Sequence, residues 1–96
     1  MLVVNLGSMS HITVEFFGIP RERAGTSCVQ IEATTLGQVV EQLAGQFPEF
    51  ANHCFDDNEI STHCLVAVNA IHFTRDLNWK LAPGDTVQFL SADVGG

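Results

Sequence analysis

At 96 residues the chain has room for one domain, and a single core without disulfide staples is feasible at that size. A hydrophobic content of 46% with 16% charged residues excludes an intrinsically disordered chain. Four Lys plus Arg against eleven Asp plus Glu give a net charge of −7, which repels nucleic-acid phosphates and anionic membranes and favours a basic protein partner.

The opening Met1-Leu-Val-Val-Asn-Leu-Gly7 is apolar but too short for a membrane span, and it lacks the basic flank of a signal peptide. A second methionine, Met9, follows Gly7-Ser8. Residues 1–8 therefore read as an N-terminal extension, from an upstream start or added for expression, and residues 9–96 as the domain. Three cysteines, an odd number outside any closely spaced secretory pattern, point to a reducing compartment, and a cytoplasmic location is expected.

From His11 the residues alternate, with Ile12, Val14 and Phe16 on one side and Thr13, Glu15 and Phe17 on the other, as in a half-buried strand. Phe17 should then point away from the core. Gly18 to Gly25 reads as a long turn carrying Arg21 and Arg23. Cys28 to Glu32 resumes the alternation with Val29 and Ile31 inward, which makes a hairpin.

Thr35-Leu-Gly-Gln38 matches a capping box, in which the Thr hydroxyl and the Gln side chain each satisfy an orphan N–H at a helix start. Leu36, Val39, Val40, Leu43 and Phe47 then follow the three-and-four spacing of one apolar helix face, and Pro48 discourages continuation. Residues 49–62 show no clean period, and Asp56-Asp57-Asn58-Glu59 reads as loop, with room in the stretch for a short helical turn. Cys64 to Val68 is a continuous apolar run suited to a central strand, followed by Asn69-Ala70 and a short segment Ile71-His72-Phe73. Pro83-Gly84-Asp85 makes a turn before a last strand from Thr86 to Leu90, with Val87 and Phe89 inside and Gln88 and Leu90 outside. Val94-Gly95-Gly96 leaves directly from this strand.

These elements predict an α+β domain in which one main helix covers one face of a sheet. The other face is then open, with Phe17 and Leu90 on it by parity. Exposed apolar side chains there suggest docking. The Gly-Gly ending is chemically suggestive too. Residues without side chains can lie extended in a channel too narrow for others, and the terminal carboxylate is an anion able to attack the α-phosphate of a nucleotide. The resulting acyl-adenylate would be open to a sulfur or nitrogen nucleophile.

The Phe16-Phe-Gly-Ile-Pro-Arg-Glu22 region, the Thr35-Leu-Gly-Gln-Val-Val40 helix start, Ala67-Val-Asn69, Leu81-Ala-Pro-Gly-Asp-Thr-Val-Gln-Phe89 and the closing Gly-Gly together resemble the MoaD/ThiS sulfur-carrier family. The likeness runs from about Ile12 to the end. It implies a ubiquitin-like β-grasp fold whose terminal glycine is adenylated by a ubiquitin-activating-enzyme-like adenylyltransferase using ATP and magnesium. A sulfur donor protein then converts it to a thiocarboxylate. Gly96 would carry the sulfur, Gly95 would give the tail its flexibility, and Phe17, His72 and Leu90 would be partner-binding residues on the exposed sheet. The Phe-Phe-Gly…Arg-Glu opening is similar to the small subunit of molybdopterin synthase, a non-catalytic sulfur-carrying chain that inserts its tail into a large catalytic subunit and so serves molybdenum cofactor biosynthesis. Ser91-Ala92 and Val94 depart from that branch, as does His72, so thiamine, cysteine and other sulfur-dependent pathways stay open as alternatives. A ubiquitin-like modifier conjugated to lysine through Gly96 shares the adenylation step, and a plain interaction domain is a third reading.

Other groups point to no intrinsic chemistry. His53-Cys54 and His63-Cys64 offer four donors for a tetrahedral zinc, but adjacent residues of an extended segment face opposite ways, so no metal is expected. Cys64 reads as a small core residue, and Cys54 lacks an orienting group for nucleophilic catalysis. Asp56, Asp57 and Glu59 lack calcium-loop spacing, and Arg21 and Arg23 read as surface charge. No cofactor is expected on this chain, because the nucleotide chemistry belongs to the partner.

Overall fold

Strict alternation sets the first strand. In the computed structural model, which describes residues 11–92, β1 (His11–Phe16) buries Ile12, Val14 and Phe16 on one side and leaves Thr13 and Glu15 half-exposed on the other. It pairs antiparallel with β2 (Cys28–Glu32), with Ile12 opposite Ile31 and Val14 opposite Val29.

The segment between them is not the turn its Gly and Pro content suggests. Residues Ile19–Ala24 form a short helix, α1. Pro20 near its start is pre-set to the helical φ, and Gly25 stops it at φ 77, its N–H donating to the Arg21 carbonyl at 2.9 Å.

α2 (Leu36–Gln46) starts where the capping box places it and buries Leu36, Val39, Val40 and Leu43. The Gln38 N–H donates to the Thr35 hydroxyl at 3.2 Å. The reciprocal bond is shifted by one residue: the side-chain Oε1 of Gln38 accepts from the N–H of Thr34, not Thr35, at 2.7 Å. Carbonyls of Trp79 and Leu77 take the N–H groups of Leu36 and Gly37, so the helix start is closed by a distant loop.

Pro48 ends α2 and also begins α3 (Pro48–Cys54), where its missing N–H costs nothing. The aperiodic stretch thus holds a helix and a small hairpin, β3 (Phe55–Asp56) with β4 (Glu59–Ile60), turned through Asp57 and Asn58 at φ 54 and 66. α3 sends Phe50 into the core, where its ring meets Phe16 at 4.9 Å and Phe55 and Phe89 at 5.2 Å, all edge-on. Edge-on pairs of this kind each contribute about 0.5–1.5 kcal/mol beyond area burial.

β5 (Cys64–Val68), β6 (His72–Phe73) and β7 (Thr86–Ser91) complete a five-stranded sheet in the order β2-β1-β7-β5-β6. β1 and β7 run parallel at the centre, and the remaining neighbours are antiparallel. The buried cluster joins Val14, Phe16, Val66, Val68, Val87 and Phe89 of the sheet to the apolar faces of α2 and α3, so the helices cover one face. No helix among the described residues is long and apolar enough to cross a membrane.

Candidate functional site

The last described strand is central, flanked by β1 and β5, and its end is held on both sides. The Phe17 N–H donates to the Phe89 carbonyl at 3.0 Å, and the Ala92 N–H donates to the His63 carbonyl at 2.9 Å. The chain beyond Ala92, including Gly95 and Gly96, lies outside the described residues, as does the extension at residues 1–8.

The open face gathers apolar groups beside this strand. Strand register sets one row across the sheet: Cys28 opposite Glu15, Glu15 beside Gln88, Gln88 opposite Ala67, and Ala67 opposite Phe73. Leu65 opposite Leu90 begins the next row. Phe17, Ala67, Ala70, Phe73, Gln88 and Leu90 line a cavity of about 200 Å³. Phe17 stays 44% exposed and Phe73 65% exposed. Large apolar groups kept in water around one depression are the mark of a docking surface.

Gln88 departs from its sequence reading. It lies on the open face as alternation demands, yet it is only 6% exposed, because it forms the floor of the cavity. Its amide is fully engaged: Nε2 donates to Thr86 Oγ1 at 2.8 Å and Glu15 Oε1 at 3.0 Å, and Oε1 accepts the Ala70 N–H at 2.8 Å. That last bond matters because Asn69 and Ala70 sit in the left-handed region, at φ 54 and 60, which costs an alanine about 1 kcal/mol. Asn69 is held in turn, its Oδ1 accepting the Thr86 N–H at 2.9 Å and its Nδ2 donating to Asp85 Oδ1 at 3.2 Å. The wall of the cavity is therefore a strained turn tied down by polar bonds.

Phe17 and Leu90 come together here, as the sequence reading places them. His72 does not join them. It opposes Val68, whose side chain is buried under the helices, and its ring lies 5.7 Å from that of Trp79. The neighbour Phe73 takes the open-face position instead. Phe73 and Ala67 were not singled out in the sequence, and Gln88 was placed outside but not grouped with them, because the grouping depends on cross-strand register.

The other chemistry-bearing residues form no catalytic arrangement. The rings of His53 and His63 stack at 5.8 Å. Cys54 and Cys64 are fully buried, and a hydrogen bond to Cys64, with burial adding to it, pushes the Cys54 thiol far above its ordinary pKa. A thiol held protonated is a poor nucleophile. Among the described residues no three His, Cys, Asp or Glu side chains are placed to hold a metal ion. Asp56, Asp57 and Glu59 rim a shallow depression with Arg75, whose guanidinium donates to the carbonyls of Ile60 and Cys64. Arg21 and Arg23 are both exposed along α1.

Comparison with known proteins places this geometry. Residues 14–96 match the model of the ThiS family. Among solved structures, small archaeal modifier protein 1 of Haloferax volcanii is 25% identical, with 84% of this chain and 95% of that chain covered and a TM-score of 0.72. CysO of Mycobacterium tuberculosis, described as an antigen, is also 25% identical, covering 84% and 98% at a TM-score of 0.70. The complex of subunits 1 and 2 of the molybdopterin-converting factor from Helicobacter pylori matches at 24% identity, 90% and 99% coverage and a TM-score of 0.64. No curated protein matches. The shared architecture is the ubiquitin-like β-grasp.

Proposed function

The chain belongs to the ThiS family, and from that premise we propose that it is a sulfur carrier whose Gly96 carboxylate is activated as an adenylate and converted to a thiocarboxylate. The observation that carries the reading is the family match running through the closing Gly95-Gly96, in a chain whose last described strand is central and borders an exposed apolar cavity.

The chemistry divides between the chain and its partners. The Gly96 carboxylate oxygen attacks the α-phosphate of ATP, an O–P bond forms, and pyrophosphate leaves; magnesium on the partner offsets the phosphate charge. The terminal sulfur of a donor-protein persulfide then attacks the acyl carbon, a C–S bond forms, and AMP departs with the oxygen that bound it; two external thiols split the resulting acyl disulfide, releasing the Gly96 thiocarboxylate and the donor's thiol and leaving as a disulfide. This chain supplies the carboxylate, a narrow approach through Gly95, and the open face read by the adenylyltransferase. It holds no nucleotide and is not an enzyme by itself. The delivery we favour is to the large subunit of molybdopterin synthase, in molybdenum cofactor biosynthesis in the cytoplasm. The likeness to the Helicobacter pylori two-subunit complex lends that branch support.

The likeness to an archaeal modifier protein favours a second reading, in which a substrate lysine attacks the adenylate and an isopeptide forms. Both are tested by incubating the chain with ATP, magnesium, its adenylating enzyme and a sulfur donor, followed by mass spectrometry of the C-terminal peptide. Exchange of one oxygen for sulfur on Gly96 is expected. A lysine-linked Gly-Gly remnant without sulfuration would move the function to the modifier, and an unmodified tail would remove both. Deleting Gly96 should abolish sulfuration entirely and leave the unfolding midpoint unchanged, since a residue without a side chain has almost no apolar surface to bury.

A further inference from the structure

We infer that the open face selects a partner that seats an apolar side chain in the cavity and sets a cationic side chain, Arg or Lys, against Glu15, making Glu15 a specificity-determining residue for docking. This rests on the carrier reading and deepens it by naming the chemistry of the partner.

The argument begins from charge. None of the five strands of the main sheet contains a Lys or Arg, while two open-face positions are carboxylates, Glu15 and Glu32. Glu32 already faces His11, 3.9 Å away, at the rim of the sheet. Glu15 makes no ion pair among the described residues. It is half-buried in the same cross-strand row as the cavity floor, and what touches it is neutral: the Gln88 amide, donating to Oε1 at 3.0 Å. That amide is locked by its bonds to Thr86 and Ala70, so it holds the carboxylate in place without offsetting its charge. A partly desolvated, oriented, unpaired anion beside an apolar depression is complementary to a cation carried next to an apolar group.

Size and charge exclude the alternatives. A cavity of about 200 Å³ is smaller than pockets that enclose small-molecule ligands, and it suits a protruding side chain. A second copy of this chain would bring another net charge of −7 and face Glu15 with Glu15. A long basic side chain can instead lay its aliphatic stem along Leu90 and Phe17 while its head reaches the carboxylate.

The test measures KM and kcat for adenylation of the full chain by the adenylating enzyme of the same organism, at low and at high salt. Glu15→Gln keeps the shape and the bond from Gln88 but removes the charge. It should raise KM about fivefold to tenfold at roughly 50 mM salt with kcat within about twofold, and the difference should fall below about twofold near 0.5 M salt. Glu15→Lys should raise KM further. Glu41→Gln, on the exposed side of α2, makes the same change in net charge and should leave KM unchanged. An equal KM for Glu15→Gln and the unaltered chain at both salts, or an equal rise for Glu41→Gln, would overturn the inference. So would concentration-dependent dimerisation through this face, read by size-exclusion chromatography and abolished by Glu15→Lys. Failure of the unaltered chain to be adenylated would instead remove the carrier reading itself.

Discussion

The two faces of the sheet come from the same strands and the same alternation, yet water treats them differently. Under the helices Val14, Val87 and Phe89 are fully excluded from solvent, while on the opposite face Phe17 and Phe73 remain 44% and 65% exposed. The closed face is packed to hold the fold. The open face keeps apolar groups in water at a cost in stability, and a turn in the left-handed region is maintained beside them by three polar anchors, Asn69, Asp85 and Gln88. Stability and the recognition we propose thus fall on opposite sides of one sheet.

The sharpest way to break that division is to cut into the closed side. Phe89→Ala removes a ring in contact with Phe50 at 5.2 Å and Phe55 at 6.0 Å, and should cost about 3–5 kcal/mol in urea unfolding. On the open side, Phe17→Ser together with Leu90→Ser should raise the KM for adenylation about tenfold while unfolding shifts by less than about 1 kcal/mol. If that pair unfolded the protein as Phe89→Ala does, the division would fail.

A third effect belongs to the buried thiols. The Cys54 thiol is held protonated in the folded state by Cys64 and by burial, whereas the unfolded chain loses that proton near the ordinary thiol pKa of about 8.5. The folded state binds the extra proton above that pH, so stability should be level below it and fall as pH rises, by about 1 kcal/mol at roughly pH 9.2. Unfolding curves of Cys54→Ala compared with the unaltered chain should differ by this slope. Native alkylation should meanwhile label the exposed Cys28 and spare Cys54 and Cys64. The smallest effect is expected at His72, which faces the helix-covered side: His72→Ala should leave the KM within about twofold, while Phe73→Ala should raise it.

The contrast between His72 and Phe73 shows where the sequence stops being legible. The resemblance implies a place for His72 on the exposed sheet, which a two-residue loop at Asn69-Ala70 would give by setting it opposite Ala67. The loop instead has three residues, with Val68 opposite His72 and Ala67 opposite Phe73. A slip of one residue moves every side chain to the other face. α1 and α3 were hidden for a different reason. Helices of six and seven residues are too short to show a period or to stand alone in water, and they exist because they pack on each other and on the sheet. Phe50, at the centre of the aromatic cluster, sits in such a segment.

What the sequence determined by itself was whatever has a local period or a local chemical signature. The alternation of Ile12, Val14 and Phe16 built the first strand, and the spacing from Leu36 to Leu43 behind Thr35 built the main helix. The Gly95-Gly96 ending marked the end for which we propose activation. The tertiary structure decided which apolar groups share a surface, because Phe17 just past β1, Phe73 on β6 and Leu90 on β7 are brought together by register and loop length. It also decided that Gln88, polar and outward by alternation, would lie buried beneath them and donate to Glu15. Periodicity is a property of neighbours along the chain, whereas a docking surface is a property of neighbours across the sheet.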